Sequence, residues 1–191
     1  MESVAPRYTP TAIALHWVLA AAIVGSAAVG WYMSDLKFSP LQLRLYNWHK
    51  WAGMTILLLS IGRLAWRLTH RPPELSPDMT RAMPPWQVRA YHGVHHAMYV
   101  LFFVVPLVGW AYSSAAGFPV VLFGVLPLPD FVPKDKSLAE ALKPWHAVSA
   151  YLLLGLAAVH TVAALKHQFI DRDGLLLRMW PRRPSTSLLI P

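Results

Sequence analysis

Four apolar stretches, each long enough to cross a hydrocarbon layer, decide what this chain can fold into. A layer ~30 Å thick needs about 20 helical residues, and such stretches lie near residues 11–34, 45–69, 88–112 and 145–168. In lipid the backbone must satisfy its own hydrogen bonds, so each stretch is read as an α-helix. The expectation is an all-α membrane protein, one domain over 1–191, built as a four-transmembrane-helix bundle. Composition agrees, since 55% of residues are hydrophobic, only 14% are charged and the mean hydropathy is +0.39. A soluble domain of this size carries more charge. The first stretch lacks a small-residue cleavage site and is too long for a signal-peptide core, so it is expected to stay as a span.

The links differ in character. "RPPELSPDMTRAMPPW" between spans two and three holds five prolines and several charges, which forbids a continuous helix and reads as a solvated linker. "AAGFPVVLFGVLPLPDFVPKDKSLAEAL" between spans three and four is apolar but broken by Pro and Gly, and reads as a loop packed on the membrane surface. Lys and Arg set the orientation, because positive flanks stay in the cytoplasm. The N-terminus, second link and C-terminal tail carry eleven (Arg7, Arg63, Arg67, Arg71, Arg81, Arg89, Lys166, Arg172, Arg178, Arg182, Arg183). The opposite side carries six: Lys37, Arg44, Lys50, Lys134, Lys136 and Lys143. Both termini are therefore expected in the cytoplasm. Trp31, Tyr32, Tyr46, Trp48, Trp51, Trp110, Tyr112 and Trp145 fall near the outer ends, where amphipathic rings favour the headgroups.

The chain has no cysteine, which excludes disulfides, thiolate zinc, iron–sulfur clusters and covalently attached haem. Its net charge of +8 is spread between apolar spans instead of forming a basic stripe with interleaved aromatics, so nucleic acid is not an expected partner. Histidines carry the chemistry. His146 and His160 are 14 residues apart on the fourth span, which is ~21 Å of rise and about four turns, so they share a face at two depths. His49 on span two is level with His146, and His16 on span one is level with His160. Imidazoles in lipid need partners, and a cross-helix pair at each depth would offer an iron both axial ligands, as in a b-type haem. Zinc fits less well, for no thiolate or intramembrane carboxylate joins these histidines.

Rivals remain on span three, where "YHGVHHAMY" sets His92, His95 and His96 near the depth of His160. Spacing alone does not decide which of His16, His92, His95 or His96 faces His160. Arg63, 14 residues after His49, lies on nearly the same face and suits a haem propionate. Arg67 reads more simply as a side chain snorkelling to the headgroups. Gly25, Ser26, Ala27, Gly30, Gly53 and Gly155 would let helices and a flat macrocycle approach closely. Pro106 is expected to kink span three.

Taken together, "ALHW", "NWHKWAG", "GRLAWRL", "HGVHHAMYVLFFVVPLVGW", "FGVLPLP", "PWH", "HTVAALKH" and "LLLRMWPRR" resemble the bacterial cytochrome b561 family over nearly the whole chain. That resemblance implies a four-helix protein of the bacterial inner membrane with two non-covalent b haems. It pairs His16 with His160 for the inner haem and His49 with His146 for the outer one. The chain is similar to the superoxide oxidase branch, which implies an enzyme passing electrons from superoxide at the periplasmic face to ubiquinone near the cytoplasm. No obligate protein partner is then expected. Lys50 and Lys143, beside the outer ligands, would attract the superoxide anion. His167, seven residues beyond His160, would serve a quinone site or proton relay, with His92 or His95. The alternative is a cytochrome b subunit that links a partner dehydrogenase to the quinone pool. A non-redox helical bundle is the third reading.

Overall fold

Proline punctuates this chain at the places where helices start. Its fixed φ and missing N–H suit the first helical position, and three long helices open on it. The computed structural model describes residues 7–75 and 77–181. Helix α1 runs Pro10–Ser34, with Thr9 Oγ1 accepting from the Ala12 amide at 3.3 Å. Helix α2 runs Pro40–Thr69, with Ser39 Oγ accepting from the Gln42 amide at 3.2 Å. A short α3, Pro77–Ala82, interrupts the proline-rich link, and α4 runs Pro85–Ala115. Two-residue strands β1 (Val121–Leu122) and β2 (Leu126–Pro127) pair antiparallel in the third link before α5, Lys136–Lys166.

Helix α5 begins at Lys136 rather than near 145. Asp135 is the reason: its Oδ1 accepts from the amides of Ser137 at 2.8 Å and Leu138 at 3.0 Å, and from the Ser137 hydroxyl at 2.7 Å. Those bonds, the hydroxyl first, hold its carboxyl below the usual range. "SLAEAL" is thus capped into a helix that hydropathy alone does not register. Helices α4 and α5 run through Pro106 and Pro144 without ending.

Helices α1, α4 and α5, the last continued to Asp171, are long and apolar enough to cross a membrane. Helix α2 matches them in length but carries Arg44, Lys50, Arg63 and Arg67. The chain runs up and down, α1 packing on α2, α2 on α4 and α4 on α5. Large apolar side chains face outward, as at Val24, Leu68, Tyr151 and Val162, while the buried set is small. That inversion is what lipid surroundings require.

One end of the bundle holds the α1–α2 turn and the hairpin link; the other holds the N-terminal segment, the α2–α4 link and the tail. At the hairpin end the link folds back onto the helices. Val120 is buried with Met54 and Leu57, and Trp51 Nε1 donates to the Val121 carbonyl at 2.6 Å. The turn is made by Phe123 and Gly124, both at positive φ, 52° and 75°. At the terminal end, α5 passes into a π-helical turn, His167–Asp171, and a 3-10 turn, Leu176–Arg178. Arg178 is only 2% exposed, and its Nη2 donates to the carbonyls of Pro73 at 2.6 Å and Glu74 at 2.8 Å. Trp17 Nε1 donates to the Met179 carbonyl at 2.8 Å, and the Tyr8 amide to the Arg178 carbonyl at 3.3 Å. Tail, link and N-terminal segment are thus stapled together. Of the positive residues used for orientation, Arg182 and Arg183 lie outside the described residues.

Replacing Arg178 with Met removes two charge-assisted hydrogen bonds and should cost about 3 kcal/mol. The transition in detergent should fall by several degrees, whereas Lys37→Met at an exposed turn should leave it in place.

Candidate functional site

An imidazole can pack against a neighbouring helix only where that helix leaves room. At the hairpin end two glycines leave it. His49 of α2 lies against Gly30 of α1, where an added Cβ would come within 3.0 Å of its Cε1. His146 of α5 lies against Gly109 of α4, where an added Cβ would come within 2.8 Å. In both cases the carbonyl one turn before the glycine takes the ring: His49 Nδ1 donates to Ser26 O at 3.0 Å, and His146 Nδ1 to Val105 O at 3.1 Å. A carbonyl only accepts, so it fixes the tautomer with the proton on Nδ1 and leaves Nε2 with a free lone pair. The two rings face each other with centres 6.0 Å apart and planes 83° apart. A small cavity of about 70 Å³ beside them is lined by Ser26, Gly53, Phe102, Pro106 and Ala150 among others.

At the terminal end His16 of α1 faces His160 of α5, ring centres 6.2 Å apart and planes at 68°. His95 of α4 also approaches His160, with centres 5.0 Å apart. Its Nδ1 donates to the Tyr91 carbonyl. His92 and His96 are exposed on the outside of α4, where His96 Nδ1 donates to the His92 carbonyl at 2.8 Å. Arg63 Nη2 donates to His16 Nδ1 at 3.2 Å. His16, Arg63, His95 and His160 line a cavity of about 440 Å³ that also meets Tyr91, Tyr99, Trp180 and Arg67.

A family model described as prokaryotic cytochrome b561 matches residues 7–182. The chain belongs to that family. Cytochrome b561 homolog 1 of Escherichia coli K12 is 32% identical over 183 residues, spanning 93% of this chain and 98% of its own length. Cytochrome b561 homolog 2 of the same organism is 30% identical over 180 residues, 94% of each chain. A protein called probable superoxide oxidase CybB, from Yersinia pestis, is 28% identical over 183 residues, 93% of this chain and 97% of its own. The family is one of membrane electron-transfer proteins of oxidoreductase type, and it implies a b-type haem.

The donors of this cytochrome b561 chain fit that group. An imidazole nitrogen binds a metal at about 2.0–2.1 Å and the ring centre lies about 1 Å behind it, so two rings on opposite sides of one iron have centres about 6 Å apart. Both the His49–His146 and His16–His160 pairs meet that distance, at 6.0 and 6.2 Å. At 5.0 Å the His95–His160 pair is too close to hold an iron between its rings.

The remaining expected site residues fall elsewhere. Lys50 Nζ turns to the hairpin link, donating to Pro119 O at 3.1 Å and Phe118 O at 3.4 Å. Lys143 is exposed, three residues before His146. His167 is buried and does not line the larger cavity. Its Nδ1 lies 2.6 Å from Asp173 Oδ2 and 3.0 Å from Asp171 Oδ2, and Lys166 Nζ lies 2.6 Å from the same Asp171 oxygen. Arg67 does not snorkel away: its guanidinium sits 5.3 Å from the centre of the Tyr99 ring. Gly109, Asp171 and Asp173 were not singled out by sequence. The only cue for the two aspartates is their place four and six residues after His167, in "HQFIDRD".

Gly109→Ala should push the His146 ring from its notch and lower the haem bound per chain. Gly25→Ala, which meets nothing within 4 Å, should leave it unchanged. The pyridine haemochrome assay on purified protein measures both.

Proposed function

We propose that this chain is a two-haem oxidoreductase of the bacterial inner membrane that takes electrons from superoxide and delivers them to ubiquinone. In this reading α2 is the fourth span, both termini lie in the cytoplasm and the hairpin end faces the periplasm. The observation that carries it is the occurrence of two imidazole pairs with ring centres 6.0 and 6.2 Å apart, both reached by α5. The excess of Lys and Arg at the terminal end supports the orientation. The similarity to a probable superoxide oxidase supports the donor.

His49 and His146 would hold one b haem, and His16 and His160 the other. Bound haem supplies a one-electron carrier at each level. The protein's share is positioning. Ser26 and Val105 keep two ligand rings in the iron-binding tautomer, and the apolar lining of the smaller cavity keeps water from that pair. Lys143, exposed beside His146, would raise the local concentration of the superoxide anion. Lys50 adds positive charge next to His49 while its ammonium holds the link closed over the bundle end. His167, hydrogen-bonded to Asp173 and salt-bridged through Asp171 to Lys166, would hold and release the protons that quinone reduction consumes.

Purified protein should carry two protohaems per chain and reduce ubiquinone when superoxide is supplied, with no partner added. His146→Ala and His160→Ala should each retain one haem and lose that activity. Two full equivalents in either variant would refute the ligand assignment. Two haems with no superoxide-driven reduction would point instead to a subunit serving a partner dehydrogenase. His167→Gln should keep both haems and slow quinone reduction at least tenfold in a stopped-flow assay.

A further inference from the structure

The larger cavity gathers five arginines. Arg7, Arg63, Arg67, Arg71 and Arg178 line it, and among the described residues no aspartate or glutamate does. Arg7 and Arg178 are turned to backbone carbonyls, of Trp180 and of Pro73 and Glu74, and Arg71 is exposed. Arg63 and Arg67 differ. One helical turn apart on α2, both guanidiniums lie over the single ring of Tyr99, 5.5 and 5.3 Å from its centre. Among the described residues neither makes an ion pair.

Like charges one turn apart repel, and more strongly where water is scarce. The tyrosine face offsets part of this. A ligand with two carboxylates would offset the rest, since a guanidinium fork matches a carboxylate. Arg63 is also free to change partner. Iron on His16 Nε2 would take that nitrogen's lone pair and leave the proton on Nδ1, so the bond Arg63 now donates to Nδ1 would become a clash of two donors. Among the described residues no Asp, Glu, Lys or Arg lines the smaller cavity at the hairpin end.

We infer that Arg63 and Arg67, set side by side on Tyr99, hold the two carboxylates of the terminal-end haem and make it the haem of higher midpoint potential. This rests on the two-haem reading above. Reducing a haem iron adds one negative charge, and two nearby cations favour the form that carries it. The hairpin-end cavity offers no such stabilisation, and the neighbouring Lys50 is turned to the link carbonyls. With both haems bound, that ordering would favour movement of one electron from the hairpin end to the terminal end, the first iron being oxidised as the second is reduced.

The test is a reductive titration followed in the visible α band. His49→Ala should strip the hairpin-end haem, and the survivor should show the higher of the two wild-type midpoints. Adding Arg67→Gln should lower that midpoint, while Tyr99→Phe, which keeps the ring, should leave it in place. If Arg67→Gln in the otherwise wild-type chain sheds haem, the terminal-end haem alone should go, which supports the clamp. Loss of the hairpin-end haem would overturn it. An unmoved midpoint in Arg67→Gln, or a survivor of lower potential in His49→Ala, would also overturn the inference. So would an unmoved midpoint accompanied by a fall in co-purified phospholipid phosphorus, which would assign the pair to lipid headgroups. Wild-type protein with fewer than two haems would instead strike the reading on which the inference rests.

Discussion

An imidazole between apolar helices has two nitrogens, no bulk water and a free-energy penalty for any nitrogen left without a partner. The rest of this structure depends on how that penalty is met. At the hairpin end it is met by a repeated device: a helix omits one side chain at Gly30 or Gly109, the ring enters the notch, and the carbonyl one turn earlier accepts its Nδ1 proton. The second nitrogen of each ring is then committed to face inward. Two helix pairs, α1 with α2 and α4 with α5, use the device independently, and together they put two Nε2 lone pairs on opposite sides of one space. Helix packing and the placing of the two rings are therefore one problem here. Any substitution that closes a notch alters both.

The terminal end solves the same problem differently. Instead of a carbonyl behind His16 there is a guanidinium, and instead of two rings there are three, since His95 crowds His160 from α4. The cavity is larger, about 440 Å³ against about 70 Å³, and its walls include the tail and the N-terminal segment as well as helices. A site of this kind is held less by intrahelical geometry than by the staples that close it, chiefly Arg178 on the link carbonyls and Trp17 on Met179. The motif "LLLRMWPRR" gains a physical meaning from that placement: its arginine joins segments more than a hundred residues apart in sequence.

The long helices were legible because lipid imposes a length and an apolarity that few other constraints imitate, and the histidine spacing on α5 followed from 3.6 residues per turn. The start of α5 was not legible from hydropathy, because "SLAEAL" is amphipathic and its helicity depends on a cap three atoms long, the Asp135 side chain. Gly30 could be marked as a small residue, but nothing in the sequence tells a glycine that receives a ring from Gly25 or Gly53, which meet nothing. The π-turn that brings Asp171 and Asp173 to His167 was also hidden, since it follows from a local change of hydrogen-bond register and not from composition. What spacing left open among His16, His92, His95 and His96 is a question of ångströms. Helical periodicity resolves faces, not the difference between 5.0 and 6.2 Å.

That difference has a consequence for the role of α4. A ring 5.0 Å from His160 is too close to share an iron with it, yet it is near enough to bear on the His160 ring it crowds. His95 is tied by Nδ1 to the Tyr91 carbonyl, so its Nε2 is a fixed acceptor pointing away from its own helix. Helix α4 thus contributes a polar wall to one end of the bundle and the Gly109 notch to the other, without supplying a ring to either 6 Å pair. Helices α1 and α5 can then be kept apart at the terminal end, where they meet through their rings and not through extended backbone packing. A helix that spaces the others while its own imidazole stands outside both facing pairs is what allows one bundle to keep two ring pairs in surroundings of such different polarity.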